Sequence, residues 1–563
     1  MAFNRKRIRL GECLIKEGCL TPEQLETVLL AQKGSGKRLG ELLVENGIVT
    51  EEQLAQALSN QLGLGRVNLQ TIEIPDDILN LVSPAVLRKH GVLPFAYKEN
   101  APNTILVAMS DPMDFGASDD ISIVTNFIVE PVVSTNRSIM LALDKYFGNT
   151  EIKQAAEQYA KEKTAVQENA AEENADVQNS PIVQLVTTMI EAAVRQRASD
   201  IHIEPMMRSV RIRFRIDGAL YERATYSSSL LTAIVTRIKI ISGMDISEKR
   251  KPQDGRMTQV VDRLEYDIRV STLPTVYGEK VVMRLASKTA LNRSKDQLGL
   301  RPLELQQFDR ILQNPHGILL VTGPTGSGKS TTLYTALSEL NSEEVNIVTV
   351  EDPVEANVNG INQIQVNPKA ELTFASALRS ILRQDPDIIM IGEIRDRETA
   401  GIAIQASITG HLVVSTLHTN SSASTITRLE DMGIEPYLIA DSMIGIIAQR
   451  LIRKLCPECK KAYEATDEEK ELLGQPQDRP LTLYKRVGCP RCAGTGFHGR
   501  TGVYEIMEIT HDVKRAIEKN ANADEIKARA LESGMHTLRM SATQYVLDGI
   551  TTTGEMKKVS FDI

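Results

Sequence analysis

The chain has 563 residues, enough for about three to five folded domains. Its composition, 42% apolar and 25% charged, is ordinary for a globular protein and excludes a wholly disordered, collagenous or disulfide-stapled chain. A net charge of −8, with 4% aromatic residues and no Trp, argues against a nucleic-acid coat or a polybasic membrane binder. No stretch is apolar enough to predict a membrane-spanning helix, and the basic start lacks the apolar core of a signal peptide, so we expect a cytoplasmic protein.

An internal repeat occupies the first part of the chain. Residues 9–32 and 38–61 align at a constant offset of 29, and 12 of the 24 aligned positions are identical. Each copy begins with Arg-Leu-Gly and predicts a short helix that ends at a glycine. A threonine with a glutamine three residues later then begins a second helix, as in a capping box. Two copies are too few for a solenoid, so the pattern predicts a paired helical module over residues 1–65.

The next three segments differ in composition. Residues 66–148 alternate short apolar runs with polar turns, which predicts a small α/β domain. Residues 149–179 are rich in Gln, Ala, Asn and Glu, which is typical of a flexible acidic linker. Residues 180–290 are rich in strand patterns, and three arginines alternate within 211–215, so they share one strand face. That face either meets a ligand or is an exposed basic face with acidic partners.

A complete phosphate-binding loop lies in residues 291–455, where apolar strands alternate with helices and predict a parallel α/β sheet. GPTGSGKS at 323–330 matches G-x-x-x-x-G-K-[ST], between an apolar strand run and a helix-forming run. In this setting backbone N–H groups and the helix dipole surround a phosphate chain. Lys329 supplies a cation to the β- and γ-phosphates, and the Ser330 hydroxyl can bind Mg²⁺. The residues expected to bind the nucleotide are Gly323, Pro324, Thr325, Gly326, Ser327, Gly328, Lys329, Ser330 and Thr331.

Two acidic clusters and a histidine follow other apolar strands of the same segment. VEDPVE ends one strand with Glu351, Asp352 and Glu355, and IMIGEIRD ends another with Glu393. Acids at the carboxyl ends of strands lie where a doubly wound sheet binds its ligand. The alternative is that they are solvated loop acids. His418 ends a third strand and is either a γ-phosphate contact or a structural histidine.

Four of the six cysteines form two pairs in residues 456–563. The spacing is C-x₂-C-x₂₉-C-x₂-C, which in a cytosolic protein indicates a tetrahedral zinc site. Four thiolates would close the coordination shell, so the expected role is structural. The alternatives are a redox pair or chance. The expected ligands are Cys456, Cys459, Cys489 and Cys492.

The order of GPTGSGKS, VEDPVE, LRQDPDIIMIGEIRD and GHLVVSTLHTN resembles the Walker A, Asp box, Walker B and His box of the type II/type IV secretion ATPase superfamily. Within that superfamily the chain resembles the ATPases of type IV pilus assembly. The resemblance implies a multidomain α/β protein, with a PAS-like domain at 180–290, a RecA-like ATPase core at 291–455 and a zinc-bearing arm with a helical tail at 456–563.

The resemblance also implies an activity and partners. A homohexamer would hydrolyse ATP with Mg²⁺ and drive pilus extension through an inner-membrane platform protein, on the cytoplasmic side of that membrane. Glu355 would orient the attacking water and Glu393 would act near Mg²⁺, although both are glutamates and the sequence does not rank them. Arg213 and Arg215 would reach a nucleotide held by another domain.

The N-terminal repeat resembles the tandem cyclic-di-GMP-binding module of pilus and secretion ATPases. Its pattern suits a two-fold dinucleotide, with arginines for phosphates or guanine edges, glycines for close approach and leucines for base faces. Cys19 departs from the pattern, which prefers a branched aliphatic residue there. The alternative is a helical module that binds only a partner protein. The expected contacts are Arg9, Leu10, Gly11 and Gln32 in the first copy, and Arg38, Leu39, Gly40 and Gln61 in the second.

Three other functions share parts of this pattern. A type II secretion ATPase would carry every core motif. A DNA-transport ATPase shares the core, but the acidic charge and low aromatic content argue against nucleic acid as a partner. A nucleotide sensor with an inactive ATPase site is disfavoured because Lys329, Glu355 and Glu393 are all present.

Overall fold

The computed structural model describes residues 10–35, 38–99, 101–147, 181–262, 264–287 and 294–560. The chain divides into two compact units, residues 1–287 and 288–563. The multidomain α/β organisation predicted from the sequence is confirmed. The expected linker at 149–179 lies outside the described residues.

The repeat forms four helices: α1 (Leu10–Lys16), α2 (Pro22–Ser35), α3 (Leu39–Glu45) and α4 (Glu51–Leu62). Each predicted capping box is present, with the Gln24 amide 3.2 Å from Thr21 Oγ1 and the Gln53 amide 3.2 Å from Thr50 Oγ1. Helix α1 packs on α4 and α2 packs on α3, so the two copies interlock into one small core.

The glycines of the two Arg-Leu-Gly signatures lie where helices pack closely. A Cβ at Gly11 would lie 2.8 Å from Leu25 Cδ1, and one at Gly40 would lie 3.1 Å from Leu54 Cδ1. A side chain at either position would press on a leucine of its own repeat, so close helix packing is a second reason for the signature besides ligand approach.

The described residues between 66 and 147 form a small domain with a three-stranded sheet. Strand β2 pairs antiparallel with β1 and parallel with β3, and the helices cover the apolar core. Its elements are α5 (Asp76–Leu79), α6 (Pro84–His90), β1 (Val92–Lys98), β2 (Ala101–Met109), α7 (Phe115–Thr125), β3 (Ile128–Val133) and α8 (Asn136–Tyr146).

The strand-rich segment forms a six-stranded antiparallel sheet in the order β6-β5-β4-β9-β8-β7. Two helices bury their apolar faces with one face of the sheet. Its elements are α9 (Pro181–Arg195), β4 (Ala198–Pro205), β5 (Ser209–Ile216), β6 (Ala219–Ser227), α10 (Leu231–Ile241), β7 (Gln253–Val261), β8 (Leu264–Thr275) and β9 (Gly278–Ser287).

An ion network around buried Arg195 joins this sheet domain to the α/β domain. The Arg195 guanidinium lies 3.2 Å from Asp144 on α8 and 3.2 Å from Asp262 in the turn after β7. Arg137, also on α8, donates to the Arg195 carbonyl at 3.1 Å, and its own amide donates to Glu51 on α4 at 3.1 Å. Contacts therefore run from the helical module, through α8, to the sheet domain.

The second unit contains a seven-stranded sheet in the order β12-β11-β13-β14-β10-β15-β18. All neighbours are parallel except the β15–β18 pair. The core elements are α11 (Pro302–Leu312), β10 (Gly317–Thr322), α12 (Lys329–Leu340), β11 (Ile347–Glu351), β12 (Ile361–Gln365), α13 (Phe374–Ile381), β13 (Ile388–Ile391), α14 (Arg397–Ile408), β14 (Leu412–Leu417), α15 (Ser422–Asp431), α16 (Pro436–Ser442) and β15 (Met443–Leu455).

The remaining elements do not form a separate layer after residue 455, where the sequence analysis placed a boundary. Strand β18 pairs with β15 and so belongs to the core sheet. Its Tyr504, Ile506 and Met507 pack in the same two apolar clusters as the parallel strands. The elements are β16 (Lys461–Glu464), α17 (Asp467–Leu472), β17 (Thr482–Lys485), β18 (Phe497–Glu508), α18 (His511–Glu518), α19 (Ala523–Glu532), α20 (Leu538–Leu547) and α21 (Thr553–Ser560).

No helix among the residues described above combines the length and the apolar character that crossing a membrane requires.

Candidate active site

The phosphate-binding loop links strand β10, an interior strand of the sheet, to helix α12. All six residues of β10 are buried, and Gly328 precedes the helix with φ +91°. A Cβ at Gly323 (φ +148°) would lie 2.5 Å from the Gln449 carbonyl oxygen, whereas one at Gly326 (φ +81°) would meet nothing within 4 Å. The first glycine is thus needed for packing, and Gly326 lies on the open side of the loop, where a phosphate chain has room.

Two side chains of the loop fit a bound phosphate. Ser327 Oγ is buried and has no hydrogen-bond partner among the residues that the structure describes. Lys329 Nζ donates to the carbonyls of Gly323 and Pro324 at 2.8 and 3.3 Å. Burial and the charge of Arg450 lower the pKa of Lys329 to about 8, against the attraction of Glu393. Phosphate oxygens would give this buried cation a stronger partner than the carbonyls do.

Glu393 and His418 lie at the mouth of the loop, as the motif order predicts. His418 Nδ1 is 3.5 Å from Lys329 Nζ, and its Nε2 is 3.6 Å from Glu393 Oε2. Arg395 also pairs with Glu393. Strand order explains this arrangement, because β13 and β10 flank β14, and the carboxyl ends of the three strands are adjacent. A carboxylate, a histidine and a lysine therefore meet where Mg²⁺ and the terminal phosphates would bind.

The acids of the VEDPVE segment differ in their environments. Glu351 is 3% exposed and accepts hydrogen bonds from Tyr334 at 2.6 Å and Thr349 at 2.8 Å. Burial and the Glu351 carboxylate raise the pKa of Tyr334. Glu355 lies exposed in the loop after β11, and β13 and β14 separate that strand from β10. Glu351 therefore has a structural role, while the water-orienting role of Glu355 stays a prediction.

The alternating arginines share one face of β5, as predicted, and have acidic partners. Arg213 Nη2 lies 2.7 Å from Glu204 Oε1, and Arg215 Nε lies 3.5 Å from Asp200 Oδ2. Burial acts to raise the pKa of Glu204, but hydrogen bonds from Arg213 and Arg211 outweigh it and lower that pKa to about 2. The basic face with acidic partners is thus present in the chain, and the reach of Arg213 and Arg215 to a nucleotide stays a prediction.

Polar residues at the back of the loop were not predicted from the sequence. Gln449 and Arg450 on β15 are 1% and 4% exposed, and Thr332 Oγ1 donates to Gln449 Oε1 at 2.8 Å. Thr419 donates its amide to Thr322 Oγ1 at 2.9 Å. One signal was the Gln-Arg pair inside the apolar run 443–452 of β15, because polar side chains on a buried strand need a reason.

The four cysteines converge as the spacing predicts. Their sulfur atoms all lie within 4.8 Å of one another. The Cys456–Cys489 and Cys459–Cys492 separations are 3.8 and 3.9 Å, whereas a tetrahedron with Zn–S bonds of about 2.3 Å has edges of roughly 3.8 Å. Amides of Gly488 and Gly496 donate to the sulfurs of Cys459 and Cys492 at 3.3 and 3.2 Å. The donor set and its spacing therefore fit a zinc ion.

A cavity of about 480 Å³ lies beside the second Arg-Leu-Gly signature, in the first unit. Arg38 and Gly40 line it together with Leu10, and Arg38 pairs with Asp111 across its wall. Gly11 is buried, whereas Leu39, Gln32 and Gln61 are half-buried. Arg9 lies outside the described residues. The volume of the cavity falls in the range of small-ligand pockets, roughly 300–1,000 Å³.

A complete P-loop on a mostly parallel sheet, with Lys329, Glu393 and His418 at its mouth, defines a P-loop ATPase. The profile of the type II/IV secretion system protein family matches residues 175–558, about two thirds of the chain, and the chain belongs to that family. The profile of the MshEN domain matches residues 62–153, which is the α/β domain that follows the repeat.

Named relatives agree with this assignment. The type IV pilus assembly ATPase PilB of Myxococcus xanthus is 44% identical over 557 residues, covering 97% of this chain and 98% of the relative. The type II secretion system ATPase E of Vibrio cholerae is 48% identical over 381 residues, covering 68% and 76%. The solved structure of the ATPase DotB from Legionella pneumophila superposes with a TM-score of 0.51 at 20% identity, covering 69% of this chain and 98% of DotB, which shows the fold. The resemblance predicted from the four motifs is confirmed.

Proposed function

We propose that the chain is the ATPase motor of a type IV pilus assembly machine. The observation that carries the proposal is the extent of the two likenesses: the pilus ATPase matches 97% of the chain, whereas the type II secretion ATPase matches 68%. The N-terminal module and α/β domain thus belong to the matched region of a pilus motor. The motor would work as a homohexamer on the cytoplasmic side of the inner membrane, against a platform protein there.

Deletion of the gene tests this choice between the two machines. The deletion strain is expected to lose surface pili while retaining protein secretion, and the chain supplied in trans should restore the pili. Retained pili with a loss of secreted enzymes would instead assign the chain to type II secretion.

The site residues would divide the work of ATP hydrolysis. The loop amides and Lys329 would bind the phosphates, and Ser330 and Glu393 would hold Mg²⁺, which neutralises charge on the phosphates when bound. Glu355 would orient the attacking water, and His418, beside Lys329 and Glu393, would contact the γ-phosphate. Arg213 and Arg215 would act on a nucleotide bound by another domain.

Glu393→Gln and Glu355→Gln are each expected to bind ATP but to lower its turnover by about 10²-fold, because metal charge and water positioning are separate requirements. Steady-state phosphate release and binding of a non-hydrolysable analogue measure the two effects. Glu398→Gln, which removes an exposed carboxylate paired with Arg379, serves as the control and should leave turnover unchanged. Turnover at the parent rate in either active-site variant would show that the residue has another role.

We further propose that the tetracysteine cluster binds one structural Zn²⁺ and that the N-terminal repeat binds cyclic di-GMP. The second proposal is supported by the two-fold repeat, by the cavity beside Arg38, and by the charge-assisted hydrogen bonds that an arginine offers to a phosphate. The contacts from α4 through Arg137 to Arg195 offer a route by which the ligand could act on the sheet domain.

Arg38→Ala is expected to weaken cyclic-di-GMP binding by about tenfold or more, the value of a hydrogen bond to a charged group. Calorimetry on the full chain measures the affinity. Arg66→Ala removes an exposed arginine just after the module, whose partner is Gln56 on α4, and should bind as the parent does. If the parent chain shows no heat at tens of micromolar ligand, the module is a protein-docking element instead.

A further inference from the structure

Arg450 lies directly behind the first glycine of the phosphate-binding loop. Strand β15 pairs in parallel with β10, with Ala448 opposite Thr322, so the next two residues of β15 reach the start of the loop. A Cβ at Gly323 would lie 3.2 Å from Arg450 Nη1. Arg450 is 4% exposed. The back wall of the nucleotide site therefore contains a buried cation.

The same guanidinium holds the segment that carries His418. Its Nη2 donates to the Asn420 carbonyl at 3.0 Å and to Asn420 Oδ1 at 3.2 Å, and its Nη1 donates to the Gln449 carbonyl at 3.1 Å. The neighbouring Thr419 is bound to the end of β10 through Thr322. Two successive residues after His418 are thus fixed to the strands that hold the loop. A fork of donors is required for this, and lysine does not possess one.

The charge of Arg450 also acts on the loop. Guanidinium stays protonated in proteins, and Arg450 lies close enough to lower the pKa of the Lys329 ammonium. Two buried cations that repel each other beside one small loop are costly, and an anion bound close to both relieves that cost. A phosphate chain on the loop is such an anion.

We propose that Arg450 is a positioning residue for ATP hydrolysis, which fixes the His418 segment against the loop and supplies a buried positive charge behind the bound phosphates. The proposal rests on the ATPase function proposed above. It assigns two separable effects to one side chain: the fork orients His418, which affects turnover, and the charge favours the bound nucleotide, which affects affinity.

The test compares Arg450→Gln, Arg450→Lys and Asn420→Ala in the full chain with Mg²⁺. Arg450→Gln should raise KM and lower kcat, each by about tenfold, since a charge-assisted contact is lost in each case. Arg450→Lys should restore KM but not kcat, because it keeps the charge and loses the fork. Asn420→Ala should lower kcat and leave KM unchanged. The double variant Asn420→Ala/Arg450→Gln should have nearly the same kcat as Arg450→Gln, because both changes remove the same contact.

Arg453→Gln is the control for a purely structural role. Arg453 lies on the same strand and pairs with buried Glu555 at 2.7 Å, so this variant should unfold at a lower temperature with kcat and KM unchanged. An Arg450→Gln chain that unfolds earlier but keeps both kinetic constants overturns the proposal. If Arg450→Gln does not fold, a parent-like kcat in both Arg450→Lys and Asn420→Ala overturns it. If the parent chain shows no ATPase activity, the proposed function itself is contradicted. In that case the proposal for Arg450 is tested by thermal unfolding with ATP. It is overturned if ATP raises the unfolding temperature of Arg450→Gln as much as that of the parent.

Discussion

Replacing Lys329 by alanine is expected to lower ATP turnover by about 10³-fold or more. This is the order of loss that follows when a cation is removed from the phosphate being transferred. The lysine is the one charged side chain of the loop itself, and its ammonium lies between the loop carbonyls and His418. Alanine leaves the backbone amides in place, so weak phosphate binding can persist while catalysis is lost. Phosphate release measured over hours with Mg²⁺ and saturating ATP checks the result.

The Lys329→Ala chain is also expected to unfold no earlier than the parent in the absence of nucleotide. Folding lowers the pKa of this lysine from 10.5 to about 8. A folded-state pKa below the unfolded value means that the charged lysine costs stability at pH 7 and that the cost fades as the pH rises from about 8 to 10.5. Lys369→Ala, which removes an exposed lysine of the same unit, is the matched control. Undiminished turnover in Lys329→Ala would mean that the loop is not the catalytic site.

The parts of the site that could be predicted from the sequence are those fixed by local chemistry. The loop between 323 and 330 needs a strand before it and a helix after it, and both flanks show in the hydrophobic pattern. Glu393 and His418 each end a buried strand, so their meeting at one sheet edge follows from the parallel topology. The convergence of the four cysteines follows from their paired spacing.

The parts that could not be predicted depend on contacts between distant segments. Strand order decides that Glu393, which follows β13, lies beside the loop, whereas Glu355 follows β11, one strand further away. The antiparallel strand β18 joins the sheet after an insertion that contains the cysteines, which moves the edge of the core beyond residue 455. The role of Arg450 could not be predicted either, because it depends on the pairing of β15 with β10.

Some motif residues suit two different roles, and the sequence does not show which of the two they have. The glycines of the repeat were predicted to let a ligand approach closely, yet Gly11 and Gly40 face leucines of their own repeat. The arginines of β5 suited a phosphate, yet Arg213 pairs with Glu204 in the same sheet. A motif records which residue type is needed, and only the packing shows which of its possible partners is present.

Loss of one cysteine ligand is expected to release the metal and to unfold the element it closes. The Cys492→Ser chain should contain less than about 0.1 equivalent of zinc. The free energy of unfolding of the C-terminal unit should fall by several kcal/mol, which lowers its unfolding midpoint by about 10 °C or more. The physical reason is that a structural zinc site exists only in the folded chain, so its binding energy is folding energy. Elemental analysis and calorimetry measure the two effects.

The cluster is also expected to support the ATPase site through strand β15. Cys456 directly follows that strand, and its amide donates to the Gly496 carbonyl at 3.0 Å, just before β18 begins. Because β15 carries Gln449 and Arg450, fraying of the β15–β18 pair should lower ATP turnover together with stability. Cys19→Ser, which changes a half-buried cysteine outside the cluster, should keep full zinc, stability and turnover. A metal-free chain that remains fully folded and active would show that the four thiols serve another purpose.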